Sequence, residues 1–157
     1  MYLHYKYDYN EHPSAIGESS NSKFALSPKN NIYINCYSDL DLITICDLDG
    51  NLKCNVYGPG WMKGYNVNYS YYNSVYVYND HIIAAYLGDV SFLFDEYDRP
   101  MGNMPTKMIV FDIDGGYLKT IERGRKFFHY CVDETNSRII VYFYEGEDPV
   151  GYFNLIL

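Results

Sequence analysis

The 157-residue chain carries 20 Tyr and 8 Phe, and its 20 acidic side chains outnumber 12 Lys and Arg to give a formal net charge of -8. That length suffices for one domain with a core of its own, and the charge is unsuited to a nucleic-acid backbone, which is held by clustered Lys and Arg. No apolar run approaches the roughly 18 residues of a membrane-spanning helix and no charged-then-apolar opening is present, so neither a membrane span nor a signal peptide is expected.

In chain order, Tyr2, His4, Tyr5, Tyr7 and Tyr9 alternate with other residues over 1–10, which predicts an outer-edge strand. Residues 11–23, rich in Ser, Gly, Glu and Asn, read as a polar linker. Residues 24–157 then repeat one pattern. The first unit, 24–58, has an apolar opener (Phe24-Ala25-Leu26), a polar turn, alternating runs at 31–37 and 42–46, the tetrapeptide Asp47-Leu48-Asp49-Gly50, and a last run at 52–57. The second, 69–123, has Val75-Tyr76-Val77-Tyr78, the turn Asn79-Asp80, runs at 81–87 and 108–111, Asp112-Ile113-Asp114-Gly115, and a run at 117–121. The third, 124–157, has Phe128-His129-Tyr130-Cys131-Val132, a turn at 133–136, a run at 138–144, and ends within its third strand at Tyr152-Phe153-Asn154-Leu155.

A unit recurring every ~50 residues with four short strands predicts an all-β partial β-propeller of about three four-stranded antiparallel blades. The aromatic content favours strands, and no segment longer than a turn shows a 3.6-residue apolar period, so almost no helix is expected. The third unit lacks an outer strand. The strand within 1–10 either fills that vacancy or belongs to an earlier blade.

Chemistry-bearing residues are few. Cys36, Cys46, Cys54 and Cys131 fall in predicted strands without a C-x-x-C pair and read as buried free thiols. The two Asp-x-Asp-Gly segments resemble the start of a calcium loop, yet the twelfth positions are Gly58 and Arg123 rather than Glu, so tight turns are expected. His4, His12, His81 and His129 lack metal-ligand spacing, and no nucleophile elbow, P-loop or dinucleotide fingerprint occurs. No catalytic residue, metal site or cofactor is assigned.

The segment 88–106 exceeds the repeat, and long loops in compact domains often carry function. In a propeller it would lie on the face shared by the connections between second and third strands and between successive blades. Asp89, Phe92, Phe94, Asp95, Glu96, Tyr97, Asp98 and Arg99 are candidates to hold a sugar or a peptide by stacking and hydrogen bonding, with Met101 and Met104 beside them. Trp61, after the last strand of the first unit, is either a packing plug or a stacking platform on that face, which also includes residues near Gly124. Adjacent carboxylates at 95, 96 and 98 lack the defined separation of a glycosidase pair.

The segment Lys107-Met108-Ile109-Val110-Phe111-Asp112-Ile113-Asp114-Gly115, with Tyr117-Leu118-Lys119 and the Phe128 to Asn136 turn, resembles the C-terminal blades of TolB-like six-bladed β-propeller proteins of Bacteroides-type bacteria. Gly151-Tyr152-Phe153-Asn154-Leu155 resembles that family's last strand. Members are about twice this length and are commonly exported lipoproteins of unassigned function. This sequence lacks their signal peptide, lipid-bearing cysteine and about three blades, which leaves localisation open. The resemblance implies either a fragment or a homodimer of two half-propellers closing one six-blade ring.

The expected function is a non-enzymatic binding or scaffold module; the alternative is part of a metal-dependent propeller hydrolase or lactonase. The first-strand positions, Phe24, Leu26, Val75, Val77, Phe128 and Tyr130, are apolar or aromatic rather than acidic, which favours binding.

Overall fold

The structure, a computed structural model, describes residues 3–5, 21–64 and 66–156. The fold is all-β, and helix is limited to two three-residue 3-10 turns, Pro28–Asn30 and Trp61–Lys63, among the described residues. Three sheets follow the three sequence units and fit a propeller-like repeat.

Sheet one holds β2 (Ser22–Ser27), β3 (Ile32–Tyr37), β4 (Leu42–Asp47) and β5 (Leu52–Tyr57) as an antiparallel meander. Its outer edge carries a fifth strand, β1 (Leu3–Tyr5), with Leu3 opposite Tyr57 and Tyr5 opposite Asn55. The N-terminal strand therefore neither fills the vacancy in the third unit nor marks an earlier one. The linker expected within 11–23 lies mostly outside the described residues.

Sheet two is the meander of β6 (Tyr69–Tyr78), β7 (His81–Val90), β10 (Lys107–Asp112) and β11 (Tyr117–Glu122). The intervening β8 (Phe92–Phe94) and β9 (Pro100–Gly102) form a separate hairpin, so the long loop of the sequence reading is partly strand. Sheet three has β12 (Phe127–Asp133), β13 (Arg138–Phe143) and β14 (Val150–Asn154), and β14 is an edge strand among the described residues.

The repeat extends to fine geometry. In sheet one the pairing register shifts between Ile45 and Cys46, just before Asp47; in sheet two it shifts between Val110 and Phe111, just before Asp112. Each Asp then builds its own turn. Asp47 Oδ1 accepts from the Asn51 amide at 2.7 Å, and Asp112 Oδ1 accepts from the Gly116 amide at 2.7 Å. Gly50 and Gly115 take φ of 91° and 88°, a region glycine enters without a Cβ penalty. The turn reading of both Asp-x-Asp-Gly segments holds.

Alternation in β7 explains how the sheets stack. Ile82, Ala84 and Tyr86 face sheet one, where Ile32, Ile34, Cys36, Ile43, Ile45 and Val56 meet Tyr71, Tyr72 and Phe111. Ile83 and Ala85 face sheet three, joining Met108 to Phe127, Val132, Ile139 and Val141. Sheet two is thus covered on both faces. Each fully buried Ile contributes roughly 1.5–3 kcal/mol relative to exposure, so these two layers hold the sheets together. The first strands β2, β6 and β12 lie side by side along one flank of the stack.

Cys36, Cys46 and Cys54 are buried free thiols as expected, but Cys131 is exposed. It sits on the face of sheet three turned away from sheet two, opposite in phase to buried Val132. On the comparable outer side of sheet one, Thr44 donates to Asn55 Oδ1 at 2.7 Å, and both are buried.

Candidate functional site

Antiparallel meanders send alternate connections to the same end, so the second-to-third-strand connections and the links between sheets meet there. Backbone hydrogen bonds join them. The Ser91 amide donates to Asn68 O at 2.7 Å, the Asn103 amide to Ser91 O at 2.8 Å, and the Phe127 amide to Pro105 O at 3.0 Å. Asn103 Nδ2 also donates to Val90 O at 3.0 Å, fastening the base of the β8–β9 hairpin.

Within the hairpin, Phe92 pairs with Gly102, Leu93 with Met101 and Phe94 with Pro100. Strand alternation puts Val90, Phe92 and Phe94 on one side. Phe92 is 60 % and Phe94 64 % exposed. With Val90, Asn68 and Pro100 they line an open hollow of about 540 Å³. Large exposed apolar side chains grouped in this way mark interaction sites more often than isolated ones do.

The hairpin tip is organised by Asp95. Its Oδ1 accepts from the Tyr97 and Arg99 amides, both at 2.9 Å, and its Oδ2 from Arg99 Nε at 2.7 Å. The Arg99 backbone amide, followed by those other donors, holds the carboxyl below its ordinary range. Asp98 closes the turn at φ 60°, and the Arg99 guanidinium lies 5.1 Å from the Tyr97 ring centre. Asp95 is therefore committed to shaping the tip. Asp89 accepts from the adjacent Val90 amide, and Glu96 and Asp98 are exposed.

Of the residues expected to form the site, the structure groups Phe92 with Phe94 on one side of the hairpin, a shelf bordering the hollow, and Asp95 with Tyr97 and Arg99 at the tip. Trp61 stands apart. Its ring meets Tyr57 edge-on at 4.5 Å and packs with Leu40 and Leu42, which is the plug arrangement. Gly124, at φ 68°, borders a different hollow of about 310 Å³ with Arg125, Lys126 and Glu145. Val90 and Pro100 fall within the 88–106 segment without being singled out as ligand contacts, and Asn68 lies outside it. Val90 was detectable as the next member of the period-two series; Asn68 enters only through the fold.

A carboxylate unnoticed in the sequence lies beneath this end. Asp41 is 1 % exposed, and its Oδ2 accepts from the Gly60 amide at 2.7 Å and from Tyr86 Oη at 2.9 Å. Burial pushes its carboxyl up, against the opposing effect of those donors and of Tyr72. It ties the loop after β5 to sheet two.

A second hollow, about 400 Å³, lies along the first strands and is lined by Phe24, Leu26, Val75, Val77, Lys29 and Glu134 among others. It is more polar than the shelf, and Lys29 is engaged with Asp80 at 3.8 Å. Among the described residues no group of three or more His, Cys, Asp or Glu side chains is arranged to hold a metal ion, and no helix is long and apolar enough to cross a membrane. No family model matches the chain, and no curated protein matches its sequence.

Proposed function

We propose that the chain is a three-blade portion of a TolB-like six-bladed propeller that serves as a non-catalytic binding module, with a neutral sugar or peptide stacking on Phe92 and Phe94. One observation carries the binding reading: two neighbouring, majority-exposed Phe rings share one side of a hairpin whose base is fixed by backbone hydrogen bonds. Ligand sites are typically apolar and aromatic with a few polar groups that set orientation, and here Asn68 is the polar residue in the lining of the hollow. The lining has no charged side chain, which favours a neutral ligand over an ionic one.

The propeller reading is supported by the stacked meanders, the adjacent first strands and the matched register shifts before Asp47 and Asp112. The competing hydrolase reading needs acidic side chains converging along the first strands. Phe24, Leu26, Val75 and Val77 line that region, with Glu134 as the one acidic side chain beside them among the described residues.

Calorimetric titration with a panel of neutral oligosaccharides and capped short peptides tests the proposal. Binding by at least one class, weakened tenfold or more in Phe92→Ala/Phe94→Ala, is the expected result, since truncating central aromatic anchors commonly costs more than ~1–2 kcal/mol. Equal affinity in the double variant, or no binding across the panel, would contradict it.

A further inference from the structure

We propose that the open edge of β14 is a self-association surface at which a second copy of this chain pairs antiparallel about a two-fold axis. The inference goes beyond the ligand reading and rests on other residues.

Among the described residues, sheets one and two have four or more strands, whereas sheet three ends at β14. The phase of that edge is fixed. The Phe143 amide donates to Pro149 O at 2.7 Å and the Leu155 amide donates to Ser137 O at 2.8 Å. Residues 149, 151, 153 and 155 therefore direct their backbone groups at β13, and Val150, Tyr152 and Asn154 direct theirs outward. Among the described residues only β13 pairs with β14, and Val150 and Tyr152 are 60 % and 66 % exposed. Unpaired edges of this kind are templates for another strand.

The outward residues are self-complementary. Pairing Tyr152 with the partner's Tyr152 sets Val150 opposite the partner's Asn154, and Asn154 opposite the partner's Val150, forming about six backbone hydrogen bonds in one register. The same register carries Asp148 to the partner's Ile156. Lys119 Nζ donates to the Ile156 carbonyl, so Asp148 meets the partner's Lys119, and the axis makes this contact twice. Glu145, Glu147 and Asp148 form no ion pair among the described residues, and Lys119 has no carboxylate partner among them. Of the cations at the acidic end, Arg125 is engaged with the Glu145 carbonyl and the Phe143 ring. This local match of charge gives a chain of net charge -8 a favourable way to meet itself. The edge suits a second copy better than the outer face of sheet one does, because Thr44, Cys46 and Asn55 are already buried there.

Light scattering after size exclusion, over a dilution series, tests this directly. The full chain should give twice the 18.3 kDa monomer mass. Tyr152→Pro removes an outward N–H without touching the β13 ladder and should give a monomer with an unchanged circular dichroism spectrum. Asp148→Lys and Lys119→Asp should each weaken the dimer about tenfold, and the double exchange should restore it. A monomeric wild type overturns the proposal, and so does a dimer indifferent to the charge exchange, which stays informative if the proline variant fails to fold. Phe92→Ala/Phe94→Ala should leave the mass unchanged, which separates this outcome from that of the ligand reading.

Discussion

Tyr86 in β7 donates its hydroxyl to Asp41 Oδ2 at 2.9 Å, joining the middle of sheet two to the connection between β3 and β4 in sheet one. The same oxygen accepts from the Gly60 amide, so one buried carboxylate positions the loop that follows β5. Asp41→Ala would strand two buried donors, each costing ~1–3 kcal/mol, and should lower stability by about 2–5 kcal/mol in urea unfolding.

Asp41→Asn separates charge from hydrogen bonding. The native carboxyl is raised above its unfolded value near 3.8 by burial, so its contribution is fully present below that value and is lost as pH rises through the folded value. Asn keeps an acceptor for Gly60 and has no charge to desolvate. Wild-type stability measured relative to Asp41→Asn should therefore be constant below the unfolded value near 3.8 and fall as pH is raised from there through the raised folded value. A difference independent of pH would refute this.

Two glycines in sheet one should respond differently to alanine. At Gly58 a Cβ would lie 2.0 Å from Asp41 Oδ1, so the carboxylate must move and the latch is lost. At Gly50 nothing lies within 4 Å, and the cost is only that of φ 91°. Gly50→Ala should cost ~1–2 kcal/mol and Gly58→Ala clearly more, as read from denaturant midpoints.

Thiol chemistry checks the orientation of sheet three. Burial pushes the Cys36 thiol well up and that of Cys54 to about 11, while Cys131 is exposed. Ellman's reagent should modify one thiol quickly in the folded chain and all four after unfolding, and Cys131→Ser should remove the fast one. Two or more fast thiols would mean that sheet one is open.

At the hairpin tip, Asp95 is held in its ionised form chiefly by the Arg99 amide, so this contribution is present above the unfolded value and is lost as pH falls. Asp95→Ala should speed amide hydrogen exchange at Tyr97 and Arg99 and lower the midpoint of global unfolding only slightly. Unaltered exchange would show that the tip does not depend on this carboxylate.

These features were unequally legible in the sequence. The runs in β3, β4, β7 and β10 announced themselves because alternation and β-branched residues record a strand packed on both or one of its faces. Asp47 and Asp112 marked their turns because Asp-x-Asp-Gly supplies both the side-chain acceptor and the positive φ. The β8–β9 hairpin was hidden, since three-residue strands flanking five polar or charged tip residues fall below any periodic signal. The edge chosen by Leu3–Tyr5 was equally hidden, because all outer edges offer the same backbone groups. Asp41 was one carboxylate among twenty, and only its burial against Gly58, Gly60 and Tyr86 singles it out. Trp61 illustrates the remaining ambiguity: residue type does not distinguish a plug from a platform, and its contact with Tyr57 does.

The most direct measurement is an NMR titration of the uniformly isotope-labelled chain with the tightest neutral ligand from the panel. The account predicts saturable shifts at Phe92 and Phe94, with the Asn68 side-chain amide and Val90 following the same isotherm. Shifts confined to Phe24, with Leu26 and Val75 following, would place the ligand along the first strands and contradict it.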